Sequence, residues 1–90
     1  MDATAFRSQT IAMASPIVVK FGITLKRARE SRGLSQEAMA ECAGISRSFL
    51  SEVERGESAP TLETMQKLAI ALGERLSYLI NECENSGDAT

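Results

Sequence analysis

"SQEAMAECAGISRSFLSEVERG", residues 35–56, decides how this 90-residue chain folds. Ser35 is a favourable helix N-cap, because its hydroxyl accepts a backbone N–H of the first turn. Glu37 follows within that turn, where a carboxylate meets the positive end of the helix dipole. Ala38 stands where a reciprocal capping box would need Glu or Gln. Met39, Ala40 and Ala43 fall on one side, and Ala40 is small enough for a second helix axis to come close. Gly44 then permits the positive φ that a tight turn needs. Ile45 returns to the core, and Ser46 caps a second short helix. Leu50 and Val53 face inward along it, and Gly56 stops it. Two short helices joined by a glycine turn form a helix-turn-helix signature.

The outward face of the second helix carries Arg47, Ser48, Ser51 and Glu52 rather than the Lys/Glu lacing of an ordinary solvated helix. In a helix-turn-helix the second helix enters the DNA major groove with its N-terminal residues at the base edges. Arg pairs with guanine O6 and N7, Glu accepts from cytosine N4, and Ser serves either role. These four residues are therefore the candidate base readers. Gln36 and the free N–H groups at the start of the first helix suit a phosphate. Ser46, Arg55 and Lys26 are further candidates for backbone contact. Phe49 borders the buried stripe and reads first as an edge-of-core residue, with its aromatic edge a candidate for contact with sugar-phosphate or a thymine methyl.

The flanking sequence extends the helical pattern. Pro16 suits a first helical position. Val18, Phe21, Leu25 and Ala28 then recur on one face, and Gly33 ends the helix. Gly22 costs that helix about 1 kcal/mol against Ala and marks a place for close packing. After the loop Glu57–Pro60, Thr61 caps a helix with Leu62, Met65, Leu68, Ala69 and Leu72 on one stripe, closed by Gly73. A short last helix carries Leu76, Leu79 and Ile80, and the polar run Asn81 to Thr90 is expected to fray. Residues 1–15 lack a period and read as a flexible arm, residues 16–81 as the folded domain, and residues 82–90 as a polar tail.

Composition agrees with this layout. The chain is 43% hydrophobic but only 4% aromatic, with no Trp, so its core is aliphatic. The fold class is all-α, a compact five-helix bundle. Among ionisable residues, Val18–Gly56 holds seven cations and five anions, whereas Glu57–Thr90 holds two cations and six anions. That asymmetry suits a basic working face and an acidic opposite end. There is no His, and two Cys alone do not fill a tetrahedral zinc site, so no metal or other cofactor is expected. Cys42 reads as a small buried side chain in a reducing compartment. Asp2 and Arg7 cancel, and Ser15 and Pro16 interrupt the apolar run Ile11–Val19, so that run is a poor secretory signal. No run approaches the roughly 18 apolar residues of a membrane span, and a cytoplasmic protein is expected.

"KFGITLKRARESRGLSQEAMAECAGISRSFLSEVERG", residues 20–56, followed by "PTLETMQKLAIALG", residues 60–73, resembles the Cro/C1-type (XRE) helix-turn-helix regulators. The likeness covers about residues 18 to 81 and rests on several features together: "GLSQE", "AGIS", "ERG" and the later "PTLE" and "ALG". It implies five helices, a dimer and a palindromic operator. It also implies a pair between a first-helix arginine and the glutamate before the closing glycine, which are Arg29 and Glu54 here. Within that family "KFG", "RSFLS" and "VERG" look most like the controller proteins of restriction–modification systems. "GESAPTLE" follows the general family instead, and Arg75 stands where a capping Ser is usual.

The leading expectation is a dimeric regulator of transcription that binds double-stranded DNA, without a small-molecule ligand domain, and that regulates its own operon. An antitoxin that binds a toxin and represses its own operon is the alternative, and a protein-interaction domain on the same scaffold is the third. An enzyme is not expected, since there is no His, no Gly-rich phosphate loop and no evident base for any serine. The dimer needs a surface away from DNA, and Tyr78, Leu79 and Ile80 on the last helix are the candidates, while Leu76 completes the monomer core.

Overall fold

The computed structural model describes residues 15–86. Most of the expected arm, residues 1–14, and the end of the tail, residues 87–90, lie outside the described residues. Five helices follow one another: α1 (Pro16–Ser31), α2 (Gln36–Ala43), α3 (Arg47–Glu54), α4 (Leu62–Leu72) and α5 (Leu76–Ser86). No strand occurs among the described residues.

Side-chain hydroxyls start four of these helices. Ser15, Ser35, Ser46 and Thr61 each accept the backbone N–H three residues on, which satisfies one of the orphan donors at a helix start. Arg75 has no side-chain oxygen for that task. Its carbonyl instead accepts from Tyr78 and Leu79 at 3.0 and 3.2 Å, and α5 opens on it. At the other end of α2, Gly44 has φ +74°, and Ile45 N–H reaches back to the Ala40 carbonyl at 3.0 Å. This is the Schellman closure, which needs a left-handed residue at its centre. It turns the chain sharply enough to bring α3 onto α2.

The core is shared by all five helices. Leu25, Met39, Leu50, Val53 and Leu68 have no exposed surface. α1 packs on α5 and α3, and α2 packs on α3 and α4. Gly22 sits at the α1–α3 crossing, where a Cβ would lie 2.4 Å from the Val53 carbonyl oxygen and 2.7 Å from that of Glu54. The close approach suggested by a glycine inside α1 is therefore a backbone-to-backbone contact.

Four expectations are corrected. Cys42 is exposed, and Cys83 is the buried thiol, with a pKa pushed up by burial. On α2 the inward positions are Met39, Ala40 and Ala43, and Cys42 lies off that face. Leu62 is 68% exposed because it opens α4 before the helix reaches the core. The chain does not fray at Asn81, since α5 continues to Ser86 and buries Cys83 completely. Leu79 is 1% exposed and belongs to the monomer core, so it is not part of a dimer surface.

Candidate nucleic-acid interface

α3 is anchored from behind by an ion pair. Arg29 donates to both carboxylate oxygens of Glu54, Nε to Oε2 at 2.7 Å and Nη2 to Oε1 at 3.1 Å. Arg29 Nη1 also donates to the Leu34 carbonyl at 2.8 Å. The two side chains are 10% and 2% exposed. The hydrogen bonds to Glu54 raise the Arg29 pKa further above its already high ordinary value. A bidentate pair of this kind fixes orientation as well as distance. It ties the end of α3 to α1 and to the segment leading into α2.

Gln36 joins the same network. Its Nε2 donates to Glu54 Oε1 at 2.9 Å. The residue expected to meet a phosphate at the start of α2 is thus oriented from inside the protein, and one N–H of its amide remains for an outside acceptor. Sequence spacing gave no hint of this third partner, which is 18 positions away from Glu54.

The proposed reading face divides into two halves. Arg47 and Ser48 are exposed at the N-terminal end of α3. Arg47 makes only a loose approach to Glu37, 4.0 Å, with both side chains more than half exposed. Ser46 is committed as the cap, accepting from the Phe49 N–H at 3.0 Å. Phe49 is half-buried and packs against the core, which agrees with its position beside the buried stripe. The C-terminal half is bonded to itself and to the next loop. Ser58 donates to Glu52 Oε1 at 2.9 Å. Arg55 donates to Ser51 and forms two further bonds to Glu57, at 3.0 and 2.9 Å. Those bonds hold the Glu57 carboxyl below the usual carboxylate range and raise Arg55. Lys26 is exposed on α1 and takes part in none of these contacts. The structure therefore brings together Gln36, Glu54 and Arg29 on one side, and Ser51, Glu52, Arg55 and the unforeseen Glu57 and Ser58 on the other.

The model of the helix-turn-helix family HTH_3, the Cro/C1 (XRE) type, matches residues 25–79. The chain belongs to that family. Its resemblance to curated proteins is to transcription regulators rather than enzymes. The HTH-type transcriptional regulator SutR of Escherichia coli is 41% identical over 58 residues, 64% of this chain and 33% of SutR. The immunity repressor protein of Bacillus phage phi105 is 39% identical over 61 residues, 68% of this chain and 42% of the repressor. This HTH_3 chain spans between about a third and two thirds of the length of the curated relatives it matches. Among solved structures, the restriction-modification controller protein C.AhdI from Aeromonas hydrophila superposes with a TM-score of 0.68 at 42% identity, covering 69% of this chain and 94% of C.AhdI. The clp gene regulator ClgR from Corynebacterium glutamicum superposes with a TM-score of 0.79 at 26% identity, covering 81% of this chain and 78% of ClgR. Among the described residues, no helix of this HTH_3 chain is long and apolar enough to cross a membrane.

Proposed function

We propose that the chain is a cytoplasmic, sequence-specific regulator of transcription that binds a palindromic operator as a homodimer, with α3 in the major groove. The observation that carries this reading is the state of the α3 N-terminus. Arg47 and Ser48 stand clear of the core on a helix whose other end is locked by Arg29, Glu54 and Gln36. A side chain that reads a base edge must be free itself and mounted on something rigid. Gln36, held by Glu54, supplies a phosphate contact that sets register without reading sequence. The narrower reading, a controller that regulates its own restriction–modification operon, is supported by the likeness to C.AhdI over nearly all of that protein.

A second copy has a place to sit. Ile17, Val18, Phe21, Pro60, Met65 and Ile80 line a nearly apolar groove of about 220 Å³ at one flank of α5. Tyr78 opens on a different cleft, beside Thr24, Arg27 and Arg32. Residues two apart on a helix point to opposite sides, so Tyr78 and Ile80 do not share one contact face. Ile80 and its groove are the better dimer surface.

The test is a pair of substitutions. Arg47→Ala is expected to weaken operator binding by about 1–3 kcal/mol and to relax preference at one guanine per half-site. Gln36→Ala is expected to weaken all sequences more evenly. Titrations on matched operator and random duplexes separate the two, and unchanged operator affinity for Arg47→Ala would remove α3 from the groove.

A further inference from the structure

We infer that Glu57 acts as an internal stand-in for a DNA phosphate on Arg55, a built-in competitor that lowers the affinity of the protein for DNA of any sequence. This inference rests on the DNA-binding reading of α3 above. Arg55 is the residue directly after α3, and its guanidinium is half exposed. A guanidinium offers five N–H donors in a planar fork that matches carboxylate and phosphate geometry alike. Here two of its nitrogens meet the two oxygens of one carboxylate, at 3.0 and 2.9 Å, while the third donates to Ser51. That is the geometry in which Arg grips a phosphate. The partner is two positions away in sequence and stands just beyond the left-handed turn at Gly56, which has φ +76°. The turn is held by Glu57 N–H donating to the Glu52 carbonyl at 2.8 Å. Glu57 is therefore set opposite Arg55 by the backbone, and the pair forms without ordering a long loop.

The consequence follows from exchange. To use Arg55, a DNA phosphate has to replace the Glu57 carboxylate, and the displaced carboxylate then stays beside the phosphate as a like charge. Both effects weaken the complex. Exposed pairs are weak, so the expected effect is modest, and it falls on every sequence equally because a phosphate contact carries no base information. The second carboxylate of the region, Glu52, is bonded to Ser58 and makes a smaller contribution than Glu57 to the negative field on Arg55. The pair also ties Glu57 to proton uptake. Its carboxyl lies below the ordinary range in the free protein because Arg55 is bonded to it. Once Arg55 turns to a phosphate, that cause disappears, and the carboxyl titrates at higher pH in the complex than in the free chain.

The experiment uses the full chain and a random-sequence duplex across a range of salt. Glu57→Gln is expected to bind about two- to five-fold more tightly than the parent, the range that a single exposed pair allows. Its dependence on salt should steepen by up to about one further phosphate contact, a slope change near 0.9. In an Arg55→Ala background the same Glu57→Gln change should have little effect on either quantity. Circular dichroism of each variant controls for folding. Equal binding by Glu57→Gln and parent overturns the inference. So does an equal gain in the Arg55→Ala background, because the gain would then be only the loss of one negative charge. A gain seen on the operator but not on random duplex also overturns it, since Arg55 would then be touching a base. In all three cases the parent still binds DNA and the reading of α3 stands. A parent chain that binds no duplex at low salt removes that reading and the inference with it.

Discussion

Glu54 accepts from two nitrogens of Arg29 and one of Gln36 while only 2% of its side chain meets water. Removing one member leaves a buried charge without its partner, typically worse than removing the pair. Arg29→Met alone and Glu54→Met alone should each cost about 3–5 kcal/mol, and the double variant less than their sum, with coupling of about 1–3 kcal/mol. A double-mutant cycle in urea measures this, and strictly additive losses would mean the pair carries no mutual energy. The two ends of this pair are 25 positions apart, and no local period links them. They were legible only because the surrounding words, "RARESRG" and "VERG", resemble a family in which such a pair is implied. Cys42 shows the opposite failure. Its residue type favours burial, but its position on α2 is set by the Met39, Ala40 and Ala43 face, and position prevailed.

Among the elements, α1 and α3 depend on each other through Gly22. The missing Cβ lets the backbone of α1 lie against the carbonyls of Val53 and Glu54. Gly22→Ala would gain about 1 kcal/mol of helix propensity. It would also place a methyl 2.4 Å from a carbonyl oxygen, and overpacking of that kind typically costs about 1–3 kcal/mol. The variant should therefore unfold at lower urea than the parent, and an equal or higher midpoint would mean that α1 and α3 stand further apart. Most of the helix bounds could be read from caps and closures, since Ser35, Gly44, Ser46, Thr61 and Gly73 announce themselves by type. α5 was harder. Asn81, Glu82, Glu84 and Asn85 look like a solvated tail, yet Cys83 extends the stripe of Leu76, Leu79 and Ile80 by one helical turn and is fully buried. A single apolar residue among four polar ones is a weak signal, although its spacing was right.

At the scale of the whole molecule, the proposed function calls for a second copy. One recognition helix covers little DNA, and single modules bind weakly at cellular salt. The apolar groove around Ile80 lies on the flank of α5 away from Glu82, which lines the Tyr78 cleft beside Arg27 and Arg32. Ile80→Lys should shift the chain to monomer in sedimentation and weaken operator binding while leaving helicity intact. A charged variant that remains dimeric would place the interface elsewhere. The candidate base readers could be named from the sequence because a helix-turn-helix assigns its groove-facing positions by register. Which of them are free could not be named, because Ser51 and Glu52 are engaged by Arg55 and Ser58 through contacts that only the fold creates. The most direct test of the central claim is selection of bound duplexes from a random pool by the parent chain. The account predicts a palindrome whose half-site centres lie about one helical turn apart, roughly 34 Å, with a guanine in each half. Recovery of no common sequence, or of a single unpaired half-site, would contradict it.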